Sequence, residues 1–99
     1  MGNLAKMAQQ MQADMARVEQ ELNELRVEGT AGGGVVKAVV SGKQDIVSIA
    51  IEPSAVDPDD VEMLQDLIVA AVGDAQANAR KAAEEKMARV TGGLRLPGF

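Results

Sequence analysis

The chain has 99 residues, 46% of them hydrophobic, and a formal net charge of −5; this is the size of one domain with an adequate but not generous core, which a partner subunit would enlarge. It contains no Cys and no His, which removes disulfides, thiolate metal sites, the commonest metal ligand, the usual general base near neutral pH and every Ser-His or Cys-His nucleophile. Its one aromatic residue is Phe99, so single-strand binding on stacked aromatic platforms is excluded, and with no apolar run near the roughly 20 residues of a membrane span and no signal-peptide-like start the expectation is a soluble, intracellular protein.

From Leu4 to Leu25 the apolar residues Leu4, Ala8, Met11, Met15, Val18, Leu22 and Leu25 alternate in steps of four and three. That spacing predicts a long helix with a coiled-coil-like seam. Gln9, Gln10, Gln12, Arg17, Glu19, Gln20, Glu21 and Glu24 fill the remaining faces, as on a solvated helix. Met7, Met11 and Met15 are expected to pack against a partner helix; an adaptable Met-lined binding groove is the alternative.

Gly29 to Gly42 reads GTAGGGVVKAVVSG. Gly29 and Gly34 have the spacing of a phosphate-binding loop, yet Val35 and Val36 stand where the lysine and the hydroxyl residue belong, and an alternating strand pattern follows instead of a helix start. The glycines are therefore expected to form a bend between two strands. A weak strand is predicted around Arg26 to Thr30, and strong ones at Val35 to Val40 and Ile46 to Ile51. The polar link Ser41-Gly42-Lys43-Gln44-Asp45 predicts that the last two form an antiparallel hairpin. Val36, Ala38 and Val40 share one face of the second strand, and Val47, Ile49 and Ile51 form the apolar set of the third. Val35 and Val39 on the opposite face suggest that the outer side of the sheet is also partly covered.

EPSAVDPDDVE, residues 52–62, stops the sheet and starts a second helix. Asp57 is expected as its N-cap and Pro58 at its first position, with Asp59, Asp60 and Glu62 where the helix dipole favours negative charge. Capping accounts for these carboxylates without a metal, and no EF-hand spacing is present. The helix is apolar on every side from Met63 to Val72, more than one small sheet can cover. A second subunit is expected to cover the rest, giving a C2 homodimer with helices between two sheets. Beyond Gly73 the helix turns alanine-rich, Gly92 and Gly93 end it, and LRLPGF forms a tail. The expected organisation is thus one α+β domain over 1–99: a helical arm at 1–27, a three-stranded antiparallel sheet at 28–52, a C-terminal helical region at 57–91 and a tail at 92–99.

Charge is unevenly placed. Residues 1–13 carry +1 and residues 80–99 carry +3, whereas residues 14–79 hold 13 acids against 4 bases. If the first and last helices pack antiparallel, residue 1 lies near residue 90 and both basic segments meet at one pole, the acidic sheet and capping region going to the other. Lys6, Arg80, Lys81, Lys86 and Arg89 would then form basic tips able to straddle the phosphates of a duplex, positioning the protein without strongly reading sequence. Glu84 and Glu85 lie within helical pairing distance of these bases, so a charge-mixed solvated helix surface is the competing reading.

GGGVVKAVVSGKQDIVSIAIEPSAVDPDDVEMLQDLIVAAVGDA, residues 32–75, between the heptad-like helix and TGGLRLPGF, resembles the YbaB/EbfC family of bacterial nucleoid-associated proteins over essentially the whole chain. The resemblance rests most on Gly32 to Lys37, on Asp57-Pro58 through Ala71, and on Gly92-Gly93-Leu94 to Pro97-Gly98. It implies a tight homodimer with protruding, tweezer-like helices that binds double-stranded DNA in the cytoplasm, at the nucleoid, and serves nucleoid organisation and gene expression. It implies neither catalysis nor a cofactor, small-molecule substrate or membrane. The placement of DNA contact in the protruding helices is implied by the resemblance; the five named bases come from charge placement alone. With only Lys6, Arg17 and Arg26 basic on the first helix, backbone binding that bends or bridges duplexes fits better than sequence reading. The alternative is an interaction adaptor that engages another protein through the Met-lined helix and the acidic pole.

Overall fold

The computed structural model describes residues 2–92, with side chains through Arg89. Residues 93–99 of the expected tail, Arg95 among them, lie outside the described residues. The order is α1 (Gly2–Glu24), β1 (Arg26–Ala31), β2 (Val36–Ser41), β3 (Ile46–Ile51) and α2 (Val61–Gly92), with single 3-10 turns at Gly32–Gly34 and Pro53–Ala55. The sheet is antiparallel in the order β1-β2-β3. This is the expected α+β arrangement of helix, three strands and helix, and the C-terminal part is a single helix of 32 residues.

The turn chemistry explains the strand breaks. Gly32, Gly33 and Gly34 all have positive φ, at 66°, 75° and 97°, a run that L side chains resist and that glycine accepts. The segment is the expected bend between two strands. In the β2–β3 link the amides of Lys43 and Asp45 donate to the Ser41 hydroxyl at 3.2 and 3.3 Å, and the Ser41 amide donates to the Asp45 carbonyl at 2.8 Å. The buried serine thus closes the hairpin with its side chain.

Two local expectations are corrected. A register shift between Val39 and Val40 puts Ile46 opposite Val40, so the core-side set of β3 is Ile46, Ile49 and Ile51, and Val47 is the extra residue of a bulge. Asp57 does not cap α2. With Pro58 next to it, it opens a tight turn in which its carbonyl accepts from the Asp60 amide and its carboxylate from the Asp59 amide, each at 2.9 Å. The cap is Asp60, whose carboxylate accepts from the Met63 amide, the third of the helix, at 3.1 Å.

The core lies between α2 and the first two strands. Val36, Ala38 and Val40 meet Ala71, Ala75 and Ala79, with Ala55 closing one end. Alanines four apart make a flat helix face, and Gly29 of β1 lies against it at Ala71 and Ala75. The outer edge of β1 is closed by the same helix. The Thr30 amide donates to the Asp74 carboxylate at 3.0 Å and the Asn78 side chain donates to the Glu28 carbonyl at 3.0 Å, so α2 satisfies polar groups that an edge strand would otherwise offer to another chain.

β3 has no such cover. Every residue from Ile46 to Ile51 is exposed, although Ile49 and Ile51 face the same way as Ala38 and Val36. The opposite face of the sheet carries Glu28 and Lys37, paired at 3.9 Å, around a half-buried Val39, and no element among the described residues covers it; Val35, expected on that outer side, packs against the core instead. On α2 the side away from the sheet stays exposed at Val69, and a Cβ on Gly73 would meet nothing within 4 Å. Gly73→Ala should therefore stabilise the fold by about 0.5–1 kcal/mol, through helix propensity alone. Thermal unfolding should show a midpoint a few degrees higher.

Candidate nucleic-acid interface

α1 runs back along α2. The Gly42 amide donates to the Leu22 carbonyl at 2.8 Å, Lys43 pairs with Glu19 at 3.0 Å, and Lys86 of α2 pairs with Glu21 of α1 at 3.2 Å. With Glu21 level with Lys86, antiparallel helices place the described end of α2, Gly92, level with about residue 15 of α1. Burial agrees: Asp14, Val18, Glu21, Leu22 and Leu25 are partly or wholly covered, whereas residues 2–13 are exposed without exception. The first twelve residues of α1 therefore project beyond the described end of α2 by roughly 18 Å at 1.5 Å per residue. The molecule is a rod of 69 × 25 × 16 Å.

This register changes the expected meeting of the chain ends. Met1 lies outside the described residues, and Lys6 is level with no described part of α2. It sits on the projecting arm, roughly 18 Å beyond the level of Arg89. Arg80, Lys81, Lys86 and Arg89 follow one another along the last turns of α2, past Ala79, the last core residue of that helix. All five bases are toward one end of the rod; Lys6 forms a separate outer step.

Their surroundings divide them. Lys6, Arg80, Lys81 and Arg89 are exposed, and no ion pair among the described residues uses them. Glu84 and Glu85 stand four residues after Arg80 and Lys81 but do not close onto them. Lys86 is half-buried and committed: Glu21 receives it on one carboxylate oxygen and, at 3.9 Å, Arg17 on the other. Arg17 also holds Asp14 at 3.3 Å, and Asp14 accepts from the Gln10 amide at 3.1 Å. Arg26 is used locally, donating to the Asn23 and Leu25 carbonyls at 2.9 and 3.0 Å, where a cation favours the end of α1. Glu21 as the tie between the helices was not legible from spacing or composition, because its partner is 65 residues away.

The opposite end is acidic. Asp57, Asp59, Asp60, Glu62 and Asp66 crowd the start of α2, about 45 Å along the helix from its last turn. A shallow depression there is lined by Asp60, Glu62, Met63, Asp66, Leu67 and Ala70. Among the described residues no group of three or more His, Cys, Asp or Glu could hold a metal ion, and no helix is long and apolar enough to cross a membrane. Among the described residues the surface suited to a polyanion is the basic end, whose cations are on long flexible side chains. Such a surface suits phosphate oxygens more than base edges.

Comparison with known proteins bears on the whole chain. The profile described as the YbaB/EbfC DNA-binding family matches residues 1–94. A protein of Moorella thermoacetica named nucleoid-associated protein is 54% identical over 102 residues, covering 100% of this chain and 98% of its own. One of the same name from Desulforamulus reducens is 55% identical over 99 residues, covering 100% and 94%. Among solved structures, an uncharacterized protein from Helicobacter pylori superposes with a TM-score of 0.70 at 21% identity over 95% of each chain, a likeness of fold.

Proposed function

The chain belongs to the YbaB/EbfC DNA-binding family, a non-enzymatic family, and from that premise we propose that it is a nucleoid-associated protein that grips double-stranded DNA as a homodimer. The single domain supplies one pair of helices per subunit. Lys6 on the arm and Arg80, Lys81 and Arg89 on α2 make the phosphate contacts, and Lys86, in the same surface, chiefly holds α2 to α1 through Glu21. Contacts of this kind orient the protein on the duplex and carry little sequence information. The result is architectural binding that organises the nucleoid in the cytoplasm and, through it, influences gene expression.

The observation that carries this reading is the separation of charge along a rod whose basic end is also its uncovered end. A net charge of −5 opposes DNA binding when averaged over the chain, but Lys6, Arg80, Lys81 and Arg89, exposed and in no ion pair among the described residues, lie tens of ångströms from the acidic start of α2, with Glu84 and Glu85 the acids nearest to them on α2. Screening over about 8–10 Å at physiological salt makes the local sign the one a phosphate meets. The dimer is supported by the uncovered apolar strip of Ile46, Ile49 and Ile51 beside the half-buried Ile68 and Val72 of α2. Apolar surface so placed, on a chain this small, fits a second subunit. Two subunits double the number of phosphate contacts and give the protein two points of hold on one duplex.

The test is a gel-shift titration at low salt with two duplexes of unrelated sequence. The wild type should bind both with affinities within a few-fold. Arg80→Glu/Lys81→Glu/Arg89→Glu should lower affinity by about 100-fold or more, since each subunit loses three phosphate contacts and gains three repulsions. Lys86→Gln should cost less than any single reversal in that set, because its ammonium already faces Glu21. Retained affinity in the triple variant would remove α2 from the interface.

A further inference from the structure

α1 carries a second apolar surface that neither the core nor the β3 strip uses. Its seven-residue repeat places Leu4, Met7, Met11, Val18, Leu22 and Leu25 on one side of the helix, with Met15 between the two halves. The lower half of this side is the packing surface against α2 and the β2–β3 turn. The upper half continues it without interruption into solvent: exposure falls from 71% at Leu4 to 49% at Met7, 47% at Met11 and 39% at Met15. A stripe that already packs a helix along half its length is shaped to pack one along the rest.

We propose that the projecting halves of α1 from two molecules pair antiparallel, joining one dimer to another and so bridging two duplexes. This rests on the reading of the protein as a DNA-binding dimer. The occupant is a second copy for three reasons. Residues 2–13 hold a single charged residue, Lys6, among amides and alanines, so the surface selects neither an acidic nor a basic partner and is complementary to itself. Ala8, on the same side of the helix as Leu4, Met11 and Met15, leaves room there for close approach of two backbones. The free length is the same on both copies, and antiparallel pairing centred near Gln9 fits the two arms together with each molecule's α2 at opposite ends. Parallel pairing would instead bring the two basic α2 ends side by side. In the antiparallel register Met7 of one arm meets Met11 of the other, and both Lys6 side chains stay on the outer side, free for phosphate.

The absence of cysteine makes the register directly readable. Met7→Cys and Met11→Cys full-length proteins are prepared separately, mixed and mildly oxidised without DNA. The mixed 7-to-11 disulfide should exceed either same-site disulfide several-fold. In sedimentation equilibrium the wild type should pass from dimer to tetramer with concentration. Met7→Gln/Met11→Gln should remain dimeric, with a tetramer dissociation constant raised about 100-fold or more. That variant should bind a single duplex as the wild type does and should no longer hold two differently labelled duplexes in one complex. Three results overturn the pairing: no species beyond the dimer at any concentration, a predominance of same-site disulfides, or dissociation of the glutamine variant to single chains, which would make the stripe part of the dimer itself. Failure of the arm pairing leaves single-duplex binding intact, whereas failure of the DNA-binding reading abolishes it in the wild type too.

Discussion

Gly29→Ala should cost about 3 kcal/mol or more of folding free energy and lower the unfolding midpoint by at least about 12 °C. A methyl group at this position would lie 2.5 Å from the Ala71 carbonyl oxygen and 2.6 Å from the Ala75 Cα, and nearer still to the Ala75 amide nitrogen. These are backbone atoms of a helix, so no side-chain rotation relieves the overlap. α2 would have to move off β1 as a body. That movement would also strain the bonds from Thr30 to Asp74 and from Asn78 to Glu28 that close the strand edge, at a further penalty for each polar group left unpaired. Gly73→Ala, on the free side of the same helix, supplies the contrast of opposite sign. An unchanged midpoint in Gly29→Ala would mean that α2 does not lie where the structure places it.

Ile49→Gln/Ile51→Gln should turn the dimer into single chains at concentrations where the wild type is fully dimeric. Both side chains are more than a third exposed within one chain, at 40% and 38%, so their replacement does little to the fold. In a C2 dimer formed through the β3 strip, four amides would enter an apolar interface at about 1–3 kcal/mol each. The lower bound, about 4 kcal/mol, raises the dimer dissociation constant roughly a thousandfold. Glutamine adds no charge, so any loss of DNA affinity reports the loss of the second subunit and not electrostatic repulsion. Sedimentation velocity gives the mass, and a gel shift on the same samples should show affinity lower by about 100-fold. A variant that stays dimeric would move the subunit contact away from β3.

The elements were legible because each is specified by residues close in sequence. The four-and-three spacing from Leu4 to Leu25 can only be a helix, and the Ser41 to Asp45 link carries its own turn chemistry. What escaped depends on a hydrogen bond or a packing partner that spacing does not encode. The bulge at Val39 and Val40 exchanges Ile46 for Val47 on the core side, and β-branched residues suit both positions. Asp57 and Asp60 are both good caps, and only the turn around Pro58 decides between them. For the candidate site, the charge of each segment was readable but the distance between Lys6 and the α2 bases was not. That distance follows from the Glu21 to Lys86 pair and from the Gly42 amide on Leu22, contacts that slide α1 outward along α2. The same shift bares the Met stripe, which spacing alone suggested was packed.

The dependence of duplex affinity on salt decides whether the basic helix ends hold the phosphates. The four bases that form no ion pair among the described residues, on each of two subunits, give about eight phosphate contacts, so log K should fall linearly against log salt with a slope between about −4 and −7, equal for unrelated sequences. A slope near zero, or one that differs sharply between two duplexes, would contradict a grip on the phosphate backbone by the basic helix ends.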